Sequence, residues 1–125
     1  MSETQSMTLD EIYNLAFSKL TEAGADKHNA SILSNTLRTA ERDGSHSHGL
    51  FRLPAYLTGL KSGKIKGSAR ASITEVTPSF IRVDGDQGLA PTAHNVAIPA
   101  LVDATKQTGV AIAAIHRCFH MAALW

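Results

Sequence analysis

Residues 91–115 of this 125-residue chain, PTAHNVAIPALVDATKQTGVAIAAI, carry the strongest indication of its fold class. Proline is favoured in the first turn of a helix and glycine just beyond its end, so Pro91 and Gly109 bound a predicted helix. Pro99 interrupts the helical pattern, and a kink is expected there. The apolar run 110–115 then predicts a strand buried on both faces, as in a parallel sheet. A helix that leads into such a strand indicates a mixed α/β fold.

Two further helices are predicted near the N-terminus. The sequence TLDE, which begins at Thr8, has the form of a capping box. Apolar residues at steps of three and four then predict a helix over about 9–23, ended by Gly24. Asp26 can cap a second helix, and Gly44 marks its end. Because the connection between them is short, the two helices are expected to form a hairpin.

The middle of the chain predicts shorter elements. The segment SHSHGLFRLPAYLTGLKSG, residues 45–63, begins polar and ends in a short helix with Pro54 in its first turn. The runs ASITEV (71–76) and SFIRV (79–83) predict a hairpin or two short strands. The segment GDQG, residues 85–88, predicts a loop.

Composition excludes several classes of partner. Twelve Lys and Arg against eleven Asp and Glu give a net charge of +1, which creates no basic field for nucleic acid or anionic lipid. The single cysteine, Cys118, forms no internal disulfide and suits a reducing compartment. The N-terminal sequence lacks the features of a signal peptide, and the longest apolar stretch is too short to span a bilayer. We therefore expect a soluble, cytoplasmic protein with no nucleic-acid or membrane partner.

Histidine, serine and arginine lie together in the SHSHG segment. Ser47 directly precedes His48, and Arg52 follows four residues later. An imidazole can pass a proton near neutral pH, and an adjacent hydroxyl can orient it. A guanidinium group can hold a carboxylate through two parallel hydrogen bonds. The same spacing is equally compatible with a solvated polar loop, so the residues alone leave an acid/base site and a surface loop open.

A metal site and a nucleotide-binding motif are disfavoured. Five side chains offer zinc ligands: His46, His48, His116, Cys118 and His120. However, the sequence has no HExxH or CxxC pattern and no carboxylate beside either histidine cluster, so we predict no metal. It also has no GxGxxG or GxxxxGK[ST] pattern, which argues against a Rossmann nucleotide-binding unit.

The stretches ERDGSHSHGLFRLPAYLTGLKSG and AIHRCFHMAALW resemble the type-2 malate/L-lactate dehydrogenase family, and in particular its Δ1-piperideine-2-carboxylate/Δ1-pyrroline-2-carboxylate reductases. The resemblance covers essentially the whole chain from Thr8 to Trp125. It implies a non-Rossmann α/β fold, NADPH or NADH as cofactor, and a homodimer. Residues 1–70 are then the helical segment with the Ser-His/Arg motif, and residues 71–125 begin the cofactor-binding region.

The resemblance also implies a role for individual residues. Ser47 would belong to a charge relay, His48 would be the proton donor, and Arg52 would bind the substrate carboxylate. The cofactor segment would comprise His120, Met121, Ala122, Ala123 and Leu124. Met121 stands where the family usually has an aromatic residue, a change expected mainly to alter packing.

The implied reaction transfers hydride to the C=N carbon of a cyclic imino acid and yields the L-amino acid. Reduction of a 2-oxo acid is the alternative, as in malate and lactate dehydrogenases. The family's charge-relay aspartate and most of its cofactor site would lie beyond Trp125. The resemblance therefore implies the N-terminal, truncated part of such an enzyme, completed by a C-terminal part. A third possibility is an inactive domain that serves only in folding or dimerisation.

Overall fold

The computed structural model describes residues 4–120 and confirms a mixed α/β fold. Its elements in chain order are α1 (Leu9–Glu22), α2 (Lys27–Arg42), α3 (Leu53–Lys61), β1 (Ser72–Thr77), β2 (Phe80–Leu89), α4 (Ala90–Thr108) and β3 (Ile112–Phe119). Two 3-10 helices, His46–His48 and Leu50–Arg52, connect α2 to α3. Within the described part of the chain, no helix is both long and apolar enough to cross a membrane.

The predicted N-terminal hairpin is confirmed, and its caps follow from the sequence. The Thr8 hydroxyl accepts a hydrogen bond from the Glu11 amide, while the Glu11 carboxylate accepts one from the Thr8 amide, which completes the capping box. Gly24 has a φ of +110° directly after α1, where glycine adopts a conformation that other residues disfavour. Asp26 then caps α2 through its carboxylate. The short turn places α1 against α2.

The core has two parts. The first lies among α1, α2 and α3, where Leu20, Leu33 and Tyr56 are fully buried, and Leu89 and Phe119 from the end of the sheet also pack against it. The second lies between β2 and α4. The first cluster therefore contains side chains from both sides of residue 70, and the division of the chain at that point stays a prediction.

The sheet has the order β1-β2-β3, with β1 antiparallel and β3 parallel to β2. The helix predicted between Pro91 and Gly109 is confirmed as α4, which continues through Pro99 and connects the two parallel strands. The predicted strand is confirmed as β3, but the prediction that both of its faces are buried is wrong. Within residues 4–120, Ala113 and Ile115 pack toward α4, whereas Ile112 on the other face of the strand is 61% exposed.

The loop predicted at residues 85–88 is also wrong, because this segment lies inside β2 as a bulge. Strand pairing advances four residues along β2, from Asp84 to Gly88, while β3 advances only two. Asp86 occupies the bulge with a φ of +53° and accepts a hydrogen bond from the Lys66 ammonium at 2.7 Å. The polar and glycine residues that indicate a loop therefore form a bulge that remains within the sheet.

Candidate active site

The C-terminus of α2 determines where the Ser-His segment begins. Gly44 has a φ of +73°, and the Ser45 amide donates to the carbonyl of Ala40 at 2.8 Å. This bond and the left-handed glycine form a Schellman motif, which ends the helix at the predicted position. Ser45 is therefore held against the helix end by its backbone, and the chain turns from there into the first 3-10 helix.

The first 3-10 helix brings two serine hydroxyls to one histidine. The His48 amide donates to the Ser45 carbonyl at 2.8 Å. Ser45 Oγ lies 3.2 Å from His48 Nδ1, and Ser47 Oγ lies at the same distance from the same nitrogen. A hydroxyl can donate to a neutral imidazole or accept from an imidazolium, so either serine can orient the ring in both protonation states. The sequence singled out Ser47 alone.

The side chain of Arg52 joins the same cluster through a hydrogen bond to the backbone of Ser47. Its Nε donates to the Ser47 carbonyl at 2.8 Å, and its guanidinium lies 5.7 Å from the centre of the Phe51 ring. A guanidinium has five N–H donors, and this bond uses one of them. The structure thus brings together Ser47, His48 and Arg52 in one anchored segment, in which Phe51 is a highly exposed aromatic neighbour (74%).

Glu41 supports the segment from α2, and sequence reasoning missed it. Its carboxylate accepts a hydrogen bond from the Leu50 amide at 2.8 Å and also bonds to His46 Nδ1. A Cβ atom at position 49 would lie 2.1 Å from Glu41 Oε1. Gly49 therefore leaves room for this carboxylate to reach across the turn. No spacing rule links Glu41 to Gly49, because the contact exists only once the chain has folded back.

The second sequence motif lies at the end of β3. The ring of His120 packs edge-on against His94 of α4, with 5.8 Å between ring centres. Partial burial, together with the neighbouring His120, lowers the pKa of His94. Of the predicted cofactor segment, the other four residues lie outside the described part of the chain: Met121, Ala122, Ala123 and Leu124.

His94 also lines a groove of about 640 Å³ between α2 and α4. No sequence pattern indicates this groove, because it is formed by two helices that are distant in the chain. Its polar lining comes mainly from α2, and its apolar lining from α4 and β3. The polar lining residues on α2 are Ser31, Asn35, Thr36 and Thr39, and the apolar ones on the other elements include Ile98, Leu101 and Ile115.

The five candidate zinc ligands are not gathered into one site. His46 pairs with Glu41, His116 lies 4.0 Å from Asp84, and burial raises the pKa of the Cys118 thiol. Across residues 4–120, no three His, Cys, Asp or Glu side chains form a group that could hold a metal ion.

Comparison with known proteins gives a consistent result. A sequence model of the family described as malate/L-lactate dehydrogenase matches residues 7–125. The Δ1-pyrroline-2-carboxylate reductase of Ancylobacter novellus is 38% identical over 125 residues, which are 100% of this chain and 37% of that protein. The chain therefore spans little more than a third of the length of such curated relatives.

Solved structures agree with the sequence comparison. The crystal structure of Δ1-piperideine-2-carboxylate reductase from Pseudomonas syringae pv. tomato superposes with a TM-score of 0.90 at 38% identity, over 98% of this chain and 37% of that one. Malate dehydrogenase from Entamoeba histolytica, at 24% identity, gives a TM-score of 0.84 over 94% of this chain and 33% of that one, and this likeness shows the fold alone.

Proposed function

The chain belongs to the malate/L-lactate dehydrogenase family, and we propose that it is the part of an NAD(P)H-dependent reductase that supplies the acid and the carboxylate anchor. The substrate is a cyclic imino acid, Δ1-pyrroline-2-carboxylate or Δ1-piperideine-2-carboxylate, reduced to the L-amino acid. Relatives with these reductase names support the substrate class. The observation that carries the proposal is the cluster of Ser47, His48 and Arg52, joined by contacts of 3.2 and 2.8 Å.

Each residue of the cluster has one task. Arg52 binds the substrate carboxylate and thereby orients the C=N bond beside it. Ser47 contacts Nδ1 of His48 and orients the ring, and His48 donates a proton from Nε2 to the substrate nitrogen. The nicotinamide cofactor, when bound, supplies the hydride to the imine carbon. The family resemblance assigns His120 and residues 121–124 to the segment that would hold that cofactor.

The site is completed by residues outside this chain. Because the chain spans 37% of its Ancylobacter relative, we assign the rest of the cofactor site to a complementing C-terminal part. We further propose that the protein acts in the cytoplasm as a homodimer. The family description favours one second candidate, the reduction of a 2-oxo acid, in which His48 protonates a carbonyl oxygen instead of an imine nitrogen.

A chimera tests this proposal. Residues 1–125 replace the matching region of the Ancylobacter novellus reductase, and oxidation of NADPH and of NADH is measured with Δ1-pyrroline-2-carboxylate and with a 2-oxo acid. We expect His48→Ala to lower kcat about 100-fold or more, because general acid catalysis is lost. Arg52→Lys should mainly raise KM, because a lysine cannot make the two parallel bonds.

His28→Ala is the matched control, since His28 is an exposed histidine on α2 away from the cluster. Its kcat should equal that of the unmodified chimera. Full activity in His48→Ala would refute the assigned acid. A folded chimera that binds NADPH but reduces neither substrate would instead favour a domain that serves only in folding or dimerisation.

A further inference from the structure

We propose that Ser45 positions the imidazole of His48, and that its hydroxyl contributes more to this than the hydroxyl of Ser47. The family resemblance assigns no role to Ser45. The inference deepens the proposed function, in which His48 is the proton donor, and rests on it.

The local fold brings Ser45 to His48. In a 3-10 helix, side chains three residues apart lie almost directly above one another. Ser45 is the N-cap residue of the helix His46–His48, yet its side chain makes no cap hydrogen bond to the backbone. Its hydroxyl lies instead 3.2 Å from His48 Nδ1. The usual partner of an N-cap hydroxyl has been exchanged for an imidazole.

The backbone of Ser45 is fixed on both sides. Its amide donates to the Ala40 carbonyl at 2.8 Å, and its own carbonyl accepts from the His48 amide at 2.8 Å. Two bonds therefore set the position of its Cβ relative to both α2 and His48. Little more than one side-chain torsion of Ser45 has to be fixed for its hydroxyl to reach Nδ1, so the entropic cost of the hydrogen bond is small.

Burial distinguishes the two serines. Ser47 is exposed, whereas Ser45 is half-buried beside the end of α2. Both hydroxyls lie at the same distance from Nδ1, but water competes more strongly for an exposed hydroxyl than for a half-buried one. When the neutral ring carries its proton on Nε2, Nδ1 has one lone pair to share. Ser45 is therefore its main partner, and Ser47 is the secondary one.

The bond occupies Nδ1 and thereby leaves Nε2 free to face the substrate. When the Ser45 hydroxyl donates to Nδ1 of the neutral ring, the ring proton is placed on Nε2. When the ring is an imidazolium, the same hydroxyl rotates and accepts from Nδ1–H. The proton on Nε2 then passes to the substrate nitrogen, and the imidazole is left neutral with its proton on Nδ1. Ser45 is thus a positioning residue that acts through His48.

The 125-residue chain itself provides the first test. Long-range ¹⁵N–¹H correlation spectra of the labelled chain, at a pH where the ring is neutral, report the two tautomers of His48. We expect Ser45→Ala to raise the fraction of the Nδ1–H tautomer, and Ser45→Thr to restore the original fraction. Ser47→Ala, the matched control, should change it less. An unchanged tautomer in Ser45→Ala, or a larger change in Ser47→Ala, overturns the proposal.

The chimera provides the second test. Ser45→Ala should lower kcat about 10-fold, the effect of losing one hydrogen bond to a charged ring, and leave KM for the imino acid unchanged, because Arg52 is untouched. Ser45→Thr should recover the rate. An unaltered kcat in Ser45→Ala overturns the positioning role. Activity that survives His48→Ala refutes the proposed function instead, while the spectra still decide how the ring is held.

Discussion

Gly49→Ala should destabilise the chain through Glu41. The new Cβ would lie 2.1 Å from Glu41 Oε1, 2.5 Å from Cδ and 2.8 Å from Cγ. Favourable contacts between such atoms begin at about 3.5 Å, so the carboxylate has to leave its place. The Glu41 side chain is only 16% exposed where it lies, and its departure removes the acceptor of the Leu50 amide.

The size of the effect follows from that lost bond. The hydrogen bond between the Leu50 amide and Glu41 is 2.8 Å long and has a charged acceptor. Bonds of this kind contribute about 1.5–3 kcal/mol. We expect Gly49→Ala to lower the free energy of unfolding by about 1.5–3 kcal/mol. Glu41→Ala should cost a similar amount, because it removes the same acceptor.

A double-mutant cycle separates this mechanism from a general intolerance of alanine at position 49. Urea unfolding of the 125-residue chain, followed by circular dichroism, gives the free energy for the two single variants and the double variant. Once Glu41 is alanine, the added Cβ meets no carboxylate, so Gly49→Ala should then cost much less, and the two effects should be strongly non-additive. If Gly49→Ala lowers the free energy of unfolding equally in both backgrounds, the effect does not act through Glu41.

Three further changes test other parts of the fold. Asn29→Ala should lower the free energy of unfolding in urea by about 1–3 kcal/mol, because the buried amide donates to the carbonyls of Gly67 and Ala69. Asn35→Ala, at an exposed position on the same helix, is the control. Thr8→Ala should cost about 1 kcal/mol in thermal unfolding through loss of the capping box. Partial burial and His120 lower the pKa of His94 in the folded chain. Below about pH 6.5 the unfolded chain therefore binds more protons than the folded chain. The free energy of unfolding should fall as the pH is lowered through this range and level off below the lowered pKa. His94→Gln should flatten this decline, and an unchanged pH profile would contradict it.

Local signals in the sequence predicted most of the secondary structure. The capping box at Thr8, the cap at Asp26 and the glycines at 24 and 44 are set by backbone conformation and by hydrogen bonds within four or five residues, so they can be read without a tertiary structure. The predictions that failed concern residues 85–88 and the burial of β3. Both depend on which element lies beside the strand, and an apolar or polar run does not specify its neighbour.

For the candidate site, the sequence indicated the candidate residues but not the contacts that support them. Ser47, His48 and Arg52 lie within six residues, so their proximity follows from the chain itself. Glu41 was missed because it reaches the motif across the turn after α2. His94 was missed because α4 comes to lie beside the end of β3 only after β2 and β3 have paired in parallel.

Residue type and short spacing were sufficient to predict the fold class, the helix ends and the proximity of the imidazole, hydroxyl and guanidinium groups of residues 47–52. The folded chain was needed to show which serine is sheltered beside His48, why position 49 is glycine, and how α2 and α4 form a groove lined by His94. Burial and packing arise when distant segments meet, and they set how strongly water competes for each polar group.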